Sequence, residues 1–116
     1  VKKVFYLSTC STCRKILAAV NFPKDVELVD LKNTPISDVD LEYVYKMAGS
    51  YEKLFSKKAQ KYSALKDQLK SESDYKYWLL KEYTFLKRPV IVYVDFISIG
   101  NDKEQIQRLK AILAVS

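Results

Sequence analysis

Two short β-prone runs, residues 4–7 and 26–29, flank one helical stripe, and that order constrains the fold more than any other feature of the chain. Val4, Phe5, Tyr6 and Leu7 are continuously apolar and give way at once to Ser8 and Thr9, the pattern of a strand buried on both faces. From about Ser11 onward Ile16, Leu17 and Val20 fall on one helical face, and Asn21, Phe22 and Pro23 end it. A strand, a helix and a second strand of this kind form a βαβ unit, whose strands run parallel with a right-handed crossover.

The next strand signal comes only after a long helical block. Ser37 is a suitable N-cap with Asp40 at the third helical position, Ile36 is placed to staple onto Leu41, and Gly49 stands where a left-handed C-terminal cap belongs. Tyr51, Leu54, Phe55, Ala59 and Tyr62 predict a further helix over residues 51–62, with Lys57, Lys58 and Lys61 on its remaining surface. Another is expected from about Asp74 to Tyr83, apolar on both sides and so wedged between neighbours. Arg88 and Pro89 break the pattern, residues 90–94 predict a third strand, and residues 96–99 a fourth after a reversal near Asp95 that lacks an Asn-Gly or Asp-Gly pair. Asn101 with Glu104 reads as a capping-box variant opening a last helix on Ile106, Leu109 and Leu113. The second and third strands stand roughly sixty residues apart, far beyond an ordinary crossover. The expected architecture is therefore α/β, in the order β-α-β, helical block, β-β-α: one domain over residues 1–116 with a helical insertion at about residues 36–85.

A chain of this size can bury a core without staples. The run at residues 4–7 is too short for a signal-peptide core, and no stretch approaches the roughly 20 apolar residues that cross a bilayer. The expectation is a soluble, cytoplasmic protein with no membrane partner, its start trimmed ahead of Val1. The net charge of +6 favours an anionic partner, whether nucleic acid, acidic protein surface or small oxyanion. Seventeen of the twenty basic residues are lysine, and with only Arg14, Arg88 and Arg108 available for base edges, sequence-specific DNA reading is disfavoured.

The chemistry concentrates in Thr9-Cys10-Ser11-Thr12-Cys13-Arg14-Lys15, where the first strand hands over to the first helix. A thiolate is the reactive form of cysteine, and the free N–H groups and positive end of a helix N-terminus stabilise it. Cys10 lies just before the helix and Cys13 one turn inside, so the first thiol is the activated one and the second can attack it to form a disulfide. Arg14 adds a positive charge. The alternatives are incidental packing, or half of a zinc site. Zinc would need two more ligands, and with no histidine and no third cysteine it would have to be shared between subunits. Taken by itself, Lys58 reads first as a solvated charge on a basic helix, and Arg88 equally as an anion binder or as a surface ion pair.

The cysteine motif, Leu54-Phe55-Ser56-Lys57-Lys58 in the helical block, and Leu86-Lys87-Arg88-Pro89-Val90-Ile91 ahead of the third strand together resemble the arsenate-reductase (ArsC-like) family, which also contains the Spx-type transcription regulators. The resemblance covers essentially the whole chain. It implies a thioredoxin-like sheet with a helical insertion and a cis peptide bond before Pro89. In the reductases the cysteine matching Cys10 attacks arsenate, and arginines matching positions 58 and 88 hold the oxyanion. Here position 58 is lysine, Tyr6 and Leu7 stand where a histidine and an asparagine precede the reductase cysteine, and Gly100-Asn101-Asp102 occupies the region of a third arginine.

The function this implies is a thiol-dependent oxidoreductase. Cys10 is the nucleophile toward an oxyanion or disulfide substrate, and Cys13 is the resolving thiol. Arg88, Lys58 and Arg14 bind the anion together with the helix N-terminal amides of Ser11 and Thr12. No bound cofactor or metal is expected, and glutathione, glutaredoxin or thioredoxin would supply electrons. The alternative is a redox-sensing regulator similar to Spx that binds RNA polymerase and uses the same cysteine pair as a switch.

Overall fold

Strand β1 (Lys2–Tyr6) sits inside a four-stranded sheet because its alternate side chains are apolar on both faces. The computed structural model describes residues 1–115. Helix α1 (Ser11–Ala19) links β1 to β2 (Glu27–Asp30), and the two strands pair in parallel from Lys3 opposite Glu27 to Tyr6 opposite Asp30. Strand β3 (Val90–Tyr93) pairs antiparallel with β1, and β4 (Phe96–Ile99) antiparallel with β3, giving the order β2-β1-β3-β4. The sheet is mixed and the fold is α/β, as the strand order of the sequence implies.

The described residues divide into two compact units, one formed by residues 1–34 and 88–115, the other by residues 35–87. In the first, α1 and the last helix, written α5 (Lys103–Ala114), lay their apolar faces on the sheet. Val4, Ile16, Val20, Val26, Ile91, Tyr93, Ile106 and Leu109 form that core. Burying aliphatic side chains of this size contributes about 1.5–3 kcal/mol each, which is what fixes the register of β1 against its neighbours. The cap of α5 is Asp102, whose side chain accepts from the Gln105 N–H at 3.0 Å. The Asn101–Glu104 box is thus displaced by one residue, since the Asp102 carboxylate is the group in reach of the third N–H. The β3–β4 reversal turns at Val94, which takes φ +57°, a conformation that costs a β-branched residue strain.

In the second unit, α2 (Asp38–Ala48) is punctuated as its sequence demands. The Ser37 hydroxyl accepts from the Asp40 N–H at 3.1 Å, and Gly49 closes the helix at φ +95°. The helix expected over residues 51–62 does not form. A 3-10 turn over Glu52–Leu54 leads instead into an extended Phe55 that bridges Leu86, with Ser56 N–H donating to the Phe85 carbonyl and Lys87 N–H to that of Leu54. The apolar stripe is satisfied by aromatic packing: Phe55 stacks on Phe85 at 4.7 Å and meets Tyr75 edge-on at 5.2 Å. Helix α3 (Tyr62–Leu65) is a single turn. Helix α4 (Glu72–Lys81), named in chain order before α5, buries Tyr75 and Leu79 but leaves Tyr77 exposed, so it is one-sided and not wedged. Its Glu72 carboxylate accepts from the Tyr51 and Glu52 N–H groups, tying its first turn to the 3-10 turn.

Candidate functional site

The first unit brings Cys10, Cys13 and Arg88 together at one end of the sheet. Leu7 ends the buried run of β1, its carbonyl accepts from the Cys10 N–H at 3.0 Å, and Cys10 becomes the N-cap of α1 with extended backbone. Its side chain is half-buried and makes no side-chain cap hydrogen bond. Burial alone would resist its ionisation. The Cys13 N–H, the Cys13 side chain, the Thr12 N–H and the Arg88 charge outweigh it, so the Cys10 thiol falls below its ordinary value. Ser11 and Thr12 occupy the first turn, where their amides face the helix end.

Cys13 is fully buried. Burial is the largest cause that pushes its thiol up to about 11; a hydrogen bond with the Leu7 backbone opposes it, the neighbouring Cys10 adds to the rise, and the Arg88 charge opposes least. Both thiols are free. A pair of titrating groups driven in opposite directions separates their roles: Cys10 is the more acidic thiol and Cys13 its proton-bearing neighbour.

Arg88 lies directly before Pro89, and the bond between them is cis. The Pro89 carbonyl accepts from the Gly100 N–H at 2.8 Å, which fixes the entry to β3 beside the cysteine turn. Arg14 turns its guanidinium back and donates from Nη1 to the Ser8 carbonyl at 3.0 Å. Lys58 belongs to the other unit, where it is exposed on the turn that follows Phe55 and is not carried by a helix.

One residue at this end of the sheet is not evident in the sequence. Asp30, the last residue of β2, accepts from the Ser8 N–H at 3.2 Å across 22 positions of chain. The available signal was an acid closing the second strand of a βαβ unit, beside the carboxyl end of the first, where open α/β sheets carry their sites. Among the described residues no cluster of three or more His, Cys, Asp or Glu side chains could hold a metal ion, and no helix is long and apolar enough to cross a membrane.

Solved structures share this fold. A Yersinia pestis protein described as a candidate arsenate reductase superposes with a TM-score of 0.75 at 20% identity, over 93% of this chain and 99% of that one. For the SACOL0876 protein of Staphylococcus aureus COL the TM-score is 0.72 at 25% identity, over 93% and 97% of the two chains. Arsenate reductase from Vibrio cholerae gives 0.69 at 18%, over 93% and 98%. No curated protein matches. The chain is thus of the thioredoxin-like α/β class, with an activated thiol where its first strand meets its first helix. A sequence profile of the ArsC family matches residues 5–109, and the protein belongs to that family. Membership supports a thiol-dependent oxidoreductase kind of function, with an oxyanion substrate and a redox partner in general.

Proposed function

We propose that the protein is a reductase of the arsenate-reductase kind, with Cys10 as nucleophile and Cys13 as resolving thiol. The observation that carries this reading is the opposed ionisation of the two thiols, Cys10 lowered at the helix cap and Cys13 held near 11 behind it. The Cys10 thiolate attacks the pentavalent arsenic of arsenate, a sulfur–arsenic bond forms, and one oxygen leaves as water after taking up protons. Arg88 and the amides of Ser11 and Thr12 hold the remaining oxygens, with the Arg14 charge nearby.

Burial keeps Cys13 protonated at first, and Cys10 adds to that effect. Once the Cys10 sulfur is bonded to arsenic, its share of the effect disappears and Cys13 ionises more readily. The Cys13 thiolate then attacks the Cys10 sulfur, a disulfide forms, and the electron pair of the sulfur–arsenic bond stays on arsenic, which departs as trivalent arsenite. Glutathione with glutaredoxin, or thioredoxin, returns the two electrons lost by the protein. The test is arsenate reduction coupled to each donor in turn, with Cys10→Ser as the control. Turnover that vanishes in that variant supports the proposal, and absence of turnover with every donor rejects it.

A second reading is favoured by the lysine at position 58 and by Gly100-Asn101-Asp102 after the hairpin, which leave Arg88 as the arginine that matches the reductase pattern. In that reading the protein is a redox-sensing regulator and the disulfide is its signal. Capture of purified RNA polymerase in one redox state only supports it, and equal capture in both states, or none, rejects it.

A further inference from the structure

The loop that presents Cys10 is short and exposed, and besides the Cys10 N–H to Leu7 carbonyl bond that closes it, it is held at Ser8. Ser8 is fastened at both of its backbone polar groups: its N–H donates to Asp30 Oδ1 at 3.2 Å, and its carbonyl accepts from Arg14 Nη1 at 3.0 Å. Asp30 is itself rigidly seated. Its Oδ1 also accepts from the Lys32 N–H at 3.1 Å, its Oδ2 faces Asn33 Nδ2 at 3.4 Å, and its carbonyl accepts from the Asn33 and Thr34 N–H groups at 3.1 and 2.9 Å. Just beyond it the Leu31 N–H continues the ladder to the Tyr6 carbonyl at 2.8 Å. The carboxylate is thus fixed to the parallel β1–β2 pair, and through it so is the loop.

We propose that Asp30 is a positioning residue for Cys10: with Arg14 it clamps Ser8 between a carboxylate and a guanidinium, and so sets the loop that delivers Cys10 to the N-cap of α1. The proposal rests on the reading above only in taking Cys10 as the reacting thiol. A loop of this length closed only by the Leu7–Cys10 bond samples more conformations than one also held at Ser8, and the helix-end field that favours the thiolate falls off within about one turn. A displacement of Cys10 by a fraction of a turn therefore costs much of its activation. The charged and titratable groups around the sulfur are Cys13 on α1 and Arg88 before β3, while Arg14, Asp30 and Lys32 stand around Ser8.

Position and charge make opposite demands, which gives the test its force. Removing a nearby carboxylate would by charge alone make the Cys10 thiolate easier to form. Losing the clamp makes it harder. The experiment is the pH dependence of Cys10 alkylation by iodoacetamide, read by peptide mapping, in wild type, Asp30→Asn, Asp30→Ala and Asp30→Glu. Asn keeps an acceptor in place without charge, so its midpoint stays at or below that of wild type. Ala loses the acceptor, and its midpoint rises, with a three- to tenfold slower reaction at neutral pH, about the effect of half to one pKa unit. Glu keeps the charge but displaces the carboxylate by one methylene, so its midpoint also rises, and it serves where Ala fails to fold. A fall in the midpoint for both Asn and Ala, or unchanged midpoints in Ala and Glu, overturns the proposal. Alkylation needs neither arsenate nor a donor, so this outcome is separate from success or failure of the reductase assay.

Discussion

Replacing Cys13 with alanine should remove an alkaline loss of stability that the wild-type protein carries. Cys13 is fully buried and its thiol is raised from the ordinary 9.0 to about 11 in the folded protein. A raised thiol favours the neutral form, so its contribution is complete below the unfolded value and is lost as pH climbs through the folded one. The window is therefore about pH 9 to 11. Two pKa units correspond to roughly 3 kcal/mol, an upper bound because Cys10 shares the shift. Against this, truncating a buried side chain costs roughly 1 kcal/mol or more at neutral pH, through lost burial and the space left behind. Urea unfolding of both proteins at closely spaced pH values, in the presence of a phosphine reductant, gives the difference directly. Contributions common to both proteins, such as that of Tyr51, raised to about 12 first by burial and then by Glu42, cancel in that difference. Wild type should be the more stable at pH 8, and its advantage should shrink by about 2 kcal/mol by pH 11. A difference that stays flat across that range would refute the buried, protonated Cys13 on which the assignment of roles depends.

Three further outcomes follow from particular contacts. If arsenate is reduced, Arg88→Ala should lower kcat/KM by about ten- to a hundredfold, the effect of losing a charge-assisted contact, and Lys58→Ala by less, because Arg88 also favours the Cys10 thiolate whereas Lys58 is an exposed point charge on a turn. Circular dichroism on both variants separates a folding defect from a catalytic one. Val94→Gly should raise stability by about 1 kcal/mol, since glycine takes the positive φ of the β3–β4 turn without strain, and a lower thermal midpoint would contradict the geometry of that turn. Mild oxidation should give an intramolecular Cys10–Cys13 disulfide, seen in mass spectrometry of the monomer as the loss of two hydrogens, whereas predominant intermolecular dimers would argue against Cys13 as resolving thiol.

The parts of this protein that were legible in its sequence are those whose determinants are local. Ser37 and Gly49 mark the ends of α2 because a hydroxyl and a left-handed glycine act within one turn. The β1–α1–β2 order and the Cys10 cap follow from apolar runs and one polar break. Residues 51–62 misled because an apolar stripe at helical spacing can equally be buried by a 3-10 turn and an extended Phe55, and the choice is made by Leu86, some thirty residues away. The β3–β4 reversal was legible near Asp95, but without an Asn-Gly or Asp-Gly pair its backbone was not, and strand pairing on both sides imposed it on Val94. Asp30 escaped notice for a similar reason, since nothing local to it points to Ser8. In the site, Cys10 and Cys13 and the choice of Cys10 as the activated thiol could be read from their places at the helix start, while the full enclosure of Cys13 that raises its thiol could not.

The central claim is that Cys10 is the more acidic, reactive thiol and Cys13 its buried, protonated partner. Timed alkylation of the reduced protein across pH, with the two cysteine peptides quantified separately, measures both at once. The account predicts that Cys10 reacts first, with a midpoint below the ordinary 9.0, and that Cys13 lags far behind with a midpoint near 11. Equal rates, or faster labelling of Cys13, would contradict it.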